Sequence, residues 1–279
     1  MNLLPKSAPD LSSWEEAVLW LRNQPDQQPL VEACFFDDPL DQAAKRYYRS
    51  SEWQSVRPLL PETRGRALDL GAGRGIASYA LARDGWSVTA VEPDPSFVVG
   101  SGAIRILSEQ TGLPIDVVER SGEILPFEDG SYDAVHCRAV LHHACDLRLF
   151  CKEVARVLRP GGTFVATREH VISRREDLPD FLASHPLHRL YGGENAYLID
   201  EYRAAILGAG LHLMSVLNPY ASDVNLFPDS RAALKDRLAS RFCLPSSRFV
   251  PDILLDWMGA RSKQPGRHYS FLACKPKDV

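Results

Sequence analysis

Asp69, Gly71, Gly73 and Glu92 are the residues whose types and spacing point to chemistry. They stand in Ala67-Leu68-Asp69-Leu70-Gly71-Ala72-Gly73-Arg74-Gly75 and in Val88-Thr89-Ala90-Val91-Glu92. The pattern reads as a strand, a glycine turn that opens a helix, and a second strand ending in an acid. Glycines let backbone N–H groups approach a ligand closely, and a helix start leaves N–H donors free. An acid at the tip of the second strand accepts both hydroxyls of a ribose. The arrangement is suited to a nucleoside.

Two cofactor classes use this geometry. A dinucleotide fingerprint runs G-x-G-x-x-G/A, its last small residue allowing close packing of helix on strand. Here that position is Ile76, and the extra glycine, Gly75, comes one residue early. Asp69, two residues before Gly71, sets a carboxylate at the strand tip. There it repels a diphosphate and attracts an ammonium or sulfonium group. S-adenosyl-L-methionine, a cationic amino-acid nucleoside, therefore fits better than NAD(P).

The elements that must position these residues alternate along the chain. Strands are expected at 66–70, 86–92, 115–119, 132–137 and 163–168, with helices at 76–84, 97–111 and 147–158 between them. Such alternation argues for a parallel sheet with helices on both faces, and ligands then bind at the carboxyl ends of the strands. Before this core, Ser12 or Ser13 can cap a first helix, with Glu15 and Glu16 as capping-box partners. Residues 41–60 read as a second helix, from which Tyr48 and Arg49 are candidates to close over the cofactor. After the fifth strand, 171–195 is too long and too rich in charge, His, Pro and Gly for a plain connection. It reads as a lid. Helix 200–207 and strand 211–217 follow, then a second candidate cover at 218–264 with helical stretches near 230–242 and 252–258, then a last strand at 268–274.

These motifs resemble the class I S-adenosylmethionine-dependent methyltransferases. The glycine turn with Glu92-Pro93-Asp94 at the second strand tip carries the resemblance. So do Glu123-Ile124-Leu125-Pro126-Phe127 through Asp133, Val140-Leu141-His142-His143, and Glu153-Val154-Ala155-Arg156-Val157-Leu158-Arg159-Pro160-Gly161-Gly162. The match runs from about 64 to 170 and more loosely to 217, and its flavour is that of the ubiquinone/menaquinone methyltransferase group. It implies an α/β, Rossmann-like, doubly wound sheet of seven strands, six parallel and the last antiparallel. Residues 1–60 then form a helical extension or cap. Residues 61–279 form the methyltransferase domain, with insertions at about 171–195 and 218–264. The implied activity is in-line transfer of a methyl group to an O, N or C atom of a small-molecule acceptor. An NAD(P)-dependent oxidoreductase and a non-catalytic cofactor-binding scaffold are the alternatives.

Residue by residue, Asp69 would anchor the amino group of the cofactor, directly or through water. Gly71 and Gly73 would let the backbone pass its methionine moiety, Glu92 would chelate the ribose, and Pro93 or Asp94 would wall the adenine. Where the family commonly has an acid for adenine N6, this chain has Ser121, followed by Gly122 and Glu123. A neutral acceptor is weaker than a carboxylate there. Arg138 is a candidate partner for the methionine carboxylate or a substrate anion, with a surface arginine as the alternative. The activated sulfonium asks mainly for alignment, and a base is needed only where the acceptor must lose a proton. His170 and His143, at strand tips, are the best-placed candidates, with His142, Glu169, His185, His188 and Glu194 also in reach. His185-x-x-His188 with Glu194 and His170 has ligand types suited to zinc or iron. The spacing matches no tight motif, and no metal is expected.

Composition sets the remaining bounds. The 279 residues carry a net charge of −4 and no long basic run, so nucleic acid is not the expected partner. No apolar stretch approaches a membrane-spanning length, and the first residues lack a signal-peptide core. Six scattered cysteines without a C-x-x-C pair complete the expectation of a cytoplasmic protein with free thiols. The sequence leaves the oligomeric state open.

Overall fold

The computed structural model describes residues 11–277, so the expectation about the first residues of the chain lies outside the described ones. Its sheet has β1 (Arg66–Leu70), β2 (Ser87–Val91), β3 (Ile115–Val118), β4 (Tyr132–Arg138), β5 (Leu158–Ile172), β6 (Tyr197–Leu198), β7 (His212–Leu217) and β8 (Arg267–Cys274). The order is β3-β2-β1-β4-β5-β8-β7, with β6 pairing with β5. β8 runs antiparallel between β5 and β7. Six parallel strands and one antiparallel strand are thus present as expected, and the two-residue β6 adds an eighth, parallel to β5. The strand order reverses beside β1, which pairs with both β2 and β4. That reversal is where sheets of this class open a crevice at their carboxyl edge.

Helices α1 (Trp14–Arg22), α2 (Gln28–Ala33), α3 (Leu40–Arg49) and α4 (Ser51–Val56) precede the sheet. Within it lie α5 (Ile76–Arg83), α6 (Ser101–Thr111), α7 (Leu147–Val157), α8 (Leu178–Ser184), α9 (His188–Tyr191) and α10 (Ile199–Gly208). Between β7 and β8 come α11 (Asp223–Leu226), α12 (Arg231–Arg241) and α13 (Asp252–Arg261).

Strand residues alternate between two buried clusters, as a period of two requires. Leu68, Val135 and Phe164 join α7 and α10 on one face, with Phe150, Val154, Tyr202 and Ile206. Ala67, Ala134 and Val165 join the other, with Tyr47, Trp53, Leu81 and Ile104 from α3, α4, α5 and α6. Asp69 and His136 are paired across β1 and β4. They fall on the second face, beneath the N-terminal helices.

Two expectations are corrected by local geometry. The helix read over 41–60 is broken at Ser50, whose backbone is extended and whose side chain accepts from Trp53 N–H. A serine in that conformation caps a new helix rather than continuing the old one. The helix read from Phe97 begins at Ser101, because Gly100 lies against Asp94: a Cβ there would fall 2.1 Å from the Asp94 carbonyl oxygen. The expected cap of the first helix is present, with Glu16 N–H donating to Ser13 Oγ at 3.2 Å. Among the described residues no helix is long and apolar enough to cross a membrane, and the six cysteines are unpaired.

Candidate functional site: a glycine-turn cavity and a histidine cluster

The glycine turn and the tip of β2 are tied together. Gly71 and Gly73 adopt φ of +64° and +52°, a region that costs other residues about 1–2 kcal/mol. Gly71 and Ala72 N–H donate to Val91 carbonyl oxygen at 2.8 and 3.1 Å. Gly73 N–H donates to Glu92 Oε2 at 2.8 Å, and Asp94 N–H donates to Glu92 Oε1 at 3.0 Å. Glu92 is 8% exposed; burial raises its pKa, and the two N–H donors oppose that rise. The glycines differ in role. A Cβ on Gly71 would lie 2.6 Å from Val140 Cγ2, whereas at Gly73 nothing stands nearer than 3.8 Å. The first glycine makes room for protein and the second leaves room for a ligand. Pro93 is exposed beside them.

The glycine turn faces a cavity of about 100 Å³ lined by Phe35, Phe36, Asp69, Gly71, Gly73 and Arg138, among others; Glu92 and Pro93 stand outside that lining. Asp69 is buried; Ser78 Oγ donates to its Oδ2 at 2.6 Å, and His136 Nδ1 lies 3.0 Å from its Oδ1. Arg138 reaches the cavity, but its guanidinium is held by Glu52 of α4, with Nε and Nη2 donating at 2.6 and 2.9 Å. Its anionic partner is therefore supplied from inside the chain. Arg74, in the turn itself, closes the cavity from the N-terminal side. It donates to the carbonyl oxygens of Phe35 and Asp37, each at 2.9 Å, and to Asp38 Oδ1 at 2.5 Å. Phe35 in turn stacks on Phe227, with centroids 5.3 Å apart.

Like Glu92 and Pro93, Ser121, Gly122 and Glu123 are not among the residues that line this cavity. Ser121 is exposed and donates to the Glu123 carboxylate, which also accepts from Cys145 N–H at 2.9 Å. A Cβ on Gly122 would fall 2.2 Å from the Phe150 ring. Tyr48 corrects another expectation: its hydroxyl donates to Asp84 at 3.0 Å, just beyond the end of α5 that points away from the glycine turn. It fastens α3 to α5 rather than covering the cofactor side, and Arg49 is exposed.

A second constellation gathers at the carboxyl ends of β4 and β5. His142 Nδ1–H donates to Glu169 Oε2 at 2.7 Å. His143 Nδ1 and His170 Nδ1 each lie 2.9 Å from a carbonyl oxygen, of Gly193 and Gly266 respectively. Glu194 enters from the 171–195 stretch, with His142 Nε2 at 3.5 Å and His170 Nε2 at 3.8 Å from its Oε2. Burial works against charging His142, but the Glu169 hydrogen bond and the charge of Glu194 lift its pKa to about 9. Burial and the charge of His142 push His170 well below its ordinary value and lower His143. Burial disfavours the Glu194 carboxylate, yet His142 and His185 lower its pKa to about 2.

The fold thus brings Asp69, Gly71, Gly73 and Arg138 to one cavity, with Glu92 at its turn, and His143 and His170 to a neighbouring cluster. Four participants had no local signal in the sequence. Ser78 and His136 engage Asp69 through helix packing and strand register, and Glu52 engages Arg138 across 86 residues. Arg74 was in view only as a spacer between glycines.

Residues 68–166 match the model of a methyltransferase domain. The ubiquinone biosynthesis O-methyltransferase of Xanthomonas campestris pv. campestris is 36% identical over 118 residues, covering 42% of this chain and 47% of that protein. The chain spans about half the length of the curated relatives it matches first. A geranyl diphosphate methyltransferase solved with S-adenosylmethionine superposes with a TM-score of 0.58 at 18% identity, over 98% of this chain and 99% of that one. A structure described as a sarcosine dimethylglycine methyltransferase from Galdieria sulphuraria gives 0.56 at 23% identity, over 87% and 91%. These likenesses are of fold, and the domain match falls on the glycine turn and the strands around it. The chain thus carries a methyltransferase domain over residues 68–166, in a sheet of the fold that class I S-adenosylmethionine-dependent methyltransferases share.

Proposed function

We propose that this protein transfers the methyl group of S-adenosylmethionine to an O, N or C atom of a small-molecule acceptor. The observation that carries the reading is the Gly73–Glu92 hydrogen bond at the switch point of the sheet. It presents an acid and an open glycine together at the carboxyl edge of β1 and β2. Asp69 beside them supplies negative charge where an ammonium group is bound and a diphosphate is not. Asp69, Gly71, Gly73 and Glu92 would hold the cofactor, with Pro93 at its adenine end and Arg138 at the methionine end. Ser121, Gly122 and Glu123 remain the proposed outer rim of the adenine site. When bound, the cofactor supplies an activated methyl group on a sulfonium, so the protein's part is binding, alignment and exclusion of water.

The acceptor is proposed to enter between the covers. Residues 1–60 act as a cap, supported by Phe35 and Phe36 at the cavity wall. Residues 218–264 act as a second cover, supported by the Phe35–Phe227 stack. Residues 171–195 bring Glu194 against His143 and His170, which we assign to the acceptor side. The relatives named for O-methylation in ubiquinone biosynthesis favour an oxygen acceptor. A cytoplasmic location is in keeping with the unpaired thiols. The test is a small-metabolite extract incubated with protein and methyl-labelled donor. A labelled product that needs the protein supports the reading. Hydride transfer from bound NAD(P)H, with no labelled product, would contradict it.

A further inference from the structure

Four imidazoles surround one carboxylate, and none of the five lines the cofactor cavity. Glu194 Oε2 lies 3.5 Å from His142 Nε2, 3.8 Å from His170 Nε2 and 3.9 Å from His143 Nε2. Glu194 Oε1 lies 3.9 Å from His185 Nδ1. Hydrogen bonds between N and O run at about 2.7–3.2 Å, so these atoms converge without bonding to one another. Among the described residues, Glu194 Oε2 is a buried oxygen with no hydrogen-bond partner. Burying such an atom is costly unless something compensates it.

The far side of three of the rings shows what that something is; the fourth, His185, faces Glu194 with Nδ1, which also accepts from His188 N–H at 3.4 Å. The carbonyl oxygens of Gly193 and Gly266 can only accept, so the Nδ1 atoms of His143 and His170 carry the protons. In the neutral rings Nε2 is then a lone pair aimed at Glu194. The Glu169 carboxylate orients His142 in the same way. A ring fixed through Nδ1 by a carboxylate or carbonyl, with Nε2 turned inward, is the outer-shell pattern of metal-binding histidines. Ligand atoms about 2.0–2.1 Å from a zinc ion stand roughly 3.3–3.4 Å apart in a tetrahedron; here the imidazole nitrogens lie 3.5–3.9 Å from Glu194, so the side chains would draw in around an ion. The ligand atoms form two triads that share Glu194, His142 with His143 and His170 with His185, all within 4.8 Å inside each triad.

We propose that Glu194 and the imidazoles of His142, His143, His170 and His185 hold a divalent transition-metal ion of the zinc or iron(II) class. Imidazole and carboxylate together suit those ions. The absence of a tight sequence motif is explained by the fold: the ligands come from the ends of β4 and β5 and from the 171–195 stretch. Such an ion selects an oxygen acceptor, because a hydroxyl bound to it loses its proton to solvent water more readily. That selection rests on the methyl-transfer reading; the metal site does not.

The test therefore uses no methyl donor. The full chain is stripped with a chelator, dialysed, and titrated with cobalt(II) and then zinc. The expected result is a visible cobalt absorption band that saturates and is abolished by zinc at about one equivalent per chain. Glu194→Gln, and His143→Ala at an exposed ring, should each weaken zinc binding about tenfold or more. His212→Ala, exposed on β7, should leave it unchanged. Circular dichroism establishes that the variants are folded. No saturable band in the wild-type protein would overturn the proposal. So would zinc affinities in folded Glu194→Gln and His143→Ala equal to wild type.

Discussion

Arg74 and Phe35 are joined beside the glycine-turn cavity: the buried guanidinium in the turn donates to the Phe35 carbonyl oxygen at 2.9 Å. The same side chain holds Asp37 and Asp38. Arg74→Ala would leave the Phe35 carbonyl buried without that donor, at a cost of about 1–3 kcal/mol. It should also loosen the 34–38 segment. A lower thermal midpoint and faster proteolysis near residue 36 are expected, with weaker binding of S-adenosylmethionine. Arg74→Lys should rescue little, because one ammonium cannot reproduce a planar fork of donors. Unchanged proteolysis in Arg74→Ala would remove the clasp from the account.

The two glycines of the turn should separate stability from binding. Gly73→Ala meets open space, so its cost in stability is the backbone strain of about 1–2 kcal/mol, while the added methyl obstructs the ligand. Gly71→Ala adds a clash with Val140 and should lose both stability and binding. Val140→Ala in the Gly71→Ala background should recover part of the stability. Thermal melts with and without S-adenosylhomocysteine read both effects, and equal behaviour of the two single variants would contradict the assignment.

Glu52 and Arg138 form a buried ion pair, with Arg168 Nη1 3.8 Å from the same carboxylate. Removing one member of such a pair costs about 3–5 kcal/mol. Glu52→Gln should therefore be strongly destabilising at neutral pH, and Arg138→Met should cost less in that background than alone.

The same pair carries a pH dependence. Burial disfavours the Glu52 carboxylate, but Arg138 and Arg168, with His136 in support, hold its pKa below the ordinary value; Tyr47 and Cys34 are further titratable side chains facing it. A folded pKa below the unfolded value, about 4.3, gives stability that is complete above that value. It is lost as the pH falls through the folded one. Urea unfolding of Glu52→Gln below about pH 4.3 should then show a shallower loss of stability than wild type. Parallel curves would contradict it.

The parts of this fold that are local in sequence were legible. β1 was read with the bounds it has, because apolar residues running into a glycine turn leave little choice of strand end. The break at Ser50 was not legible, since apolar positions continue on both sides and only the extended serine stops the helix. The cofactor turn was readable for the same local reason. Its supports were not: Asp69 meets His136 only through the register of β1 and β4, and Arg138 meets Glu52 only once α4 is packed on the sheet. The histidine cluster was legible in part. His142, His143, His170 and Glu194 stood out by residue type, but their convergence did not: they meet because β4 and β5 are neighbours and the 171–195 stretch returns over their ends.

The central claim is that Glu92 and the glycine turn bind S-adenosylmethionine, and calorimetric titration tests it most directly. Wild-type protein should bind S-adenosylmethionine and not NAD(P)H. Glu92→Ala, which removes a buried carboxylate tied to Gly73, should lose about tenfold or more in affinity, since charged hydrogen bonds contribute about 1.5–3 kcal/mol. Ser121→Ala, at an exposed side chain outside the cavity, should lose less. A larger loss in Ser121→Ala than in Glu92→Ala, or binding of NAD(P)H in place of S-adenosylmethionine, would contradict the account.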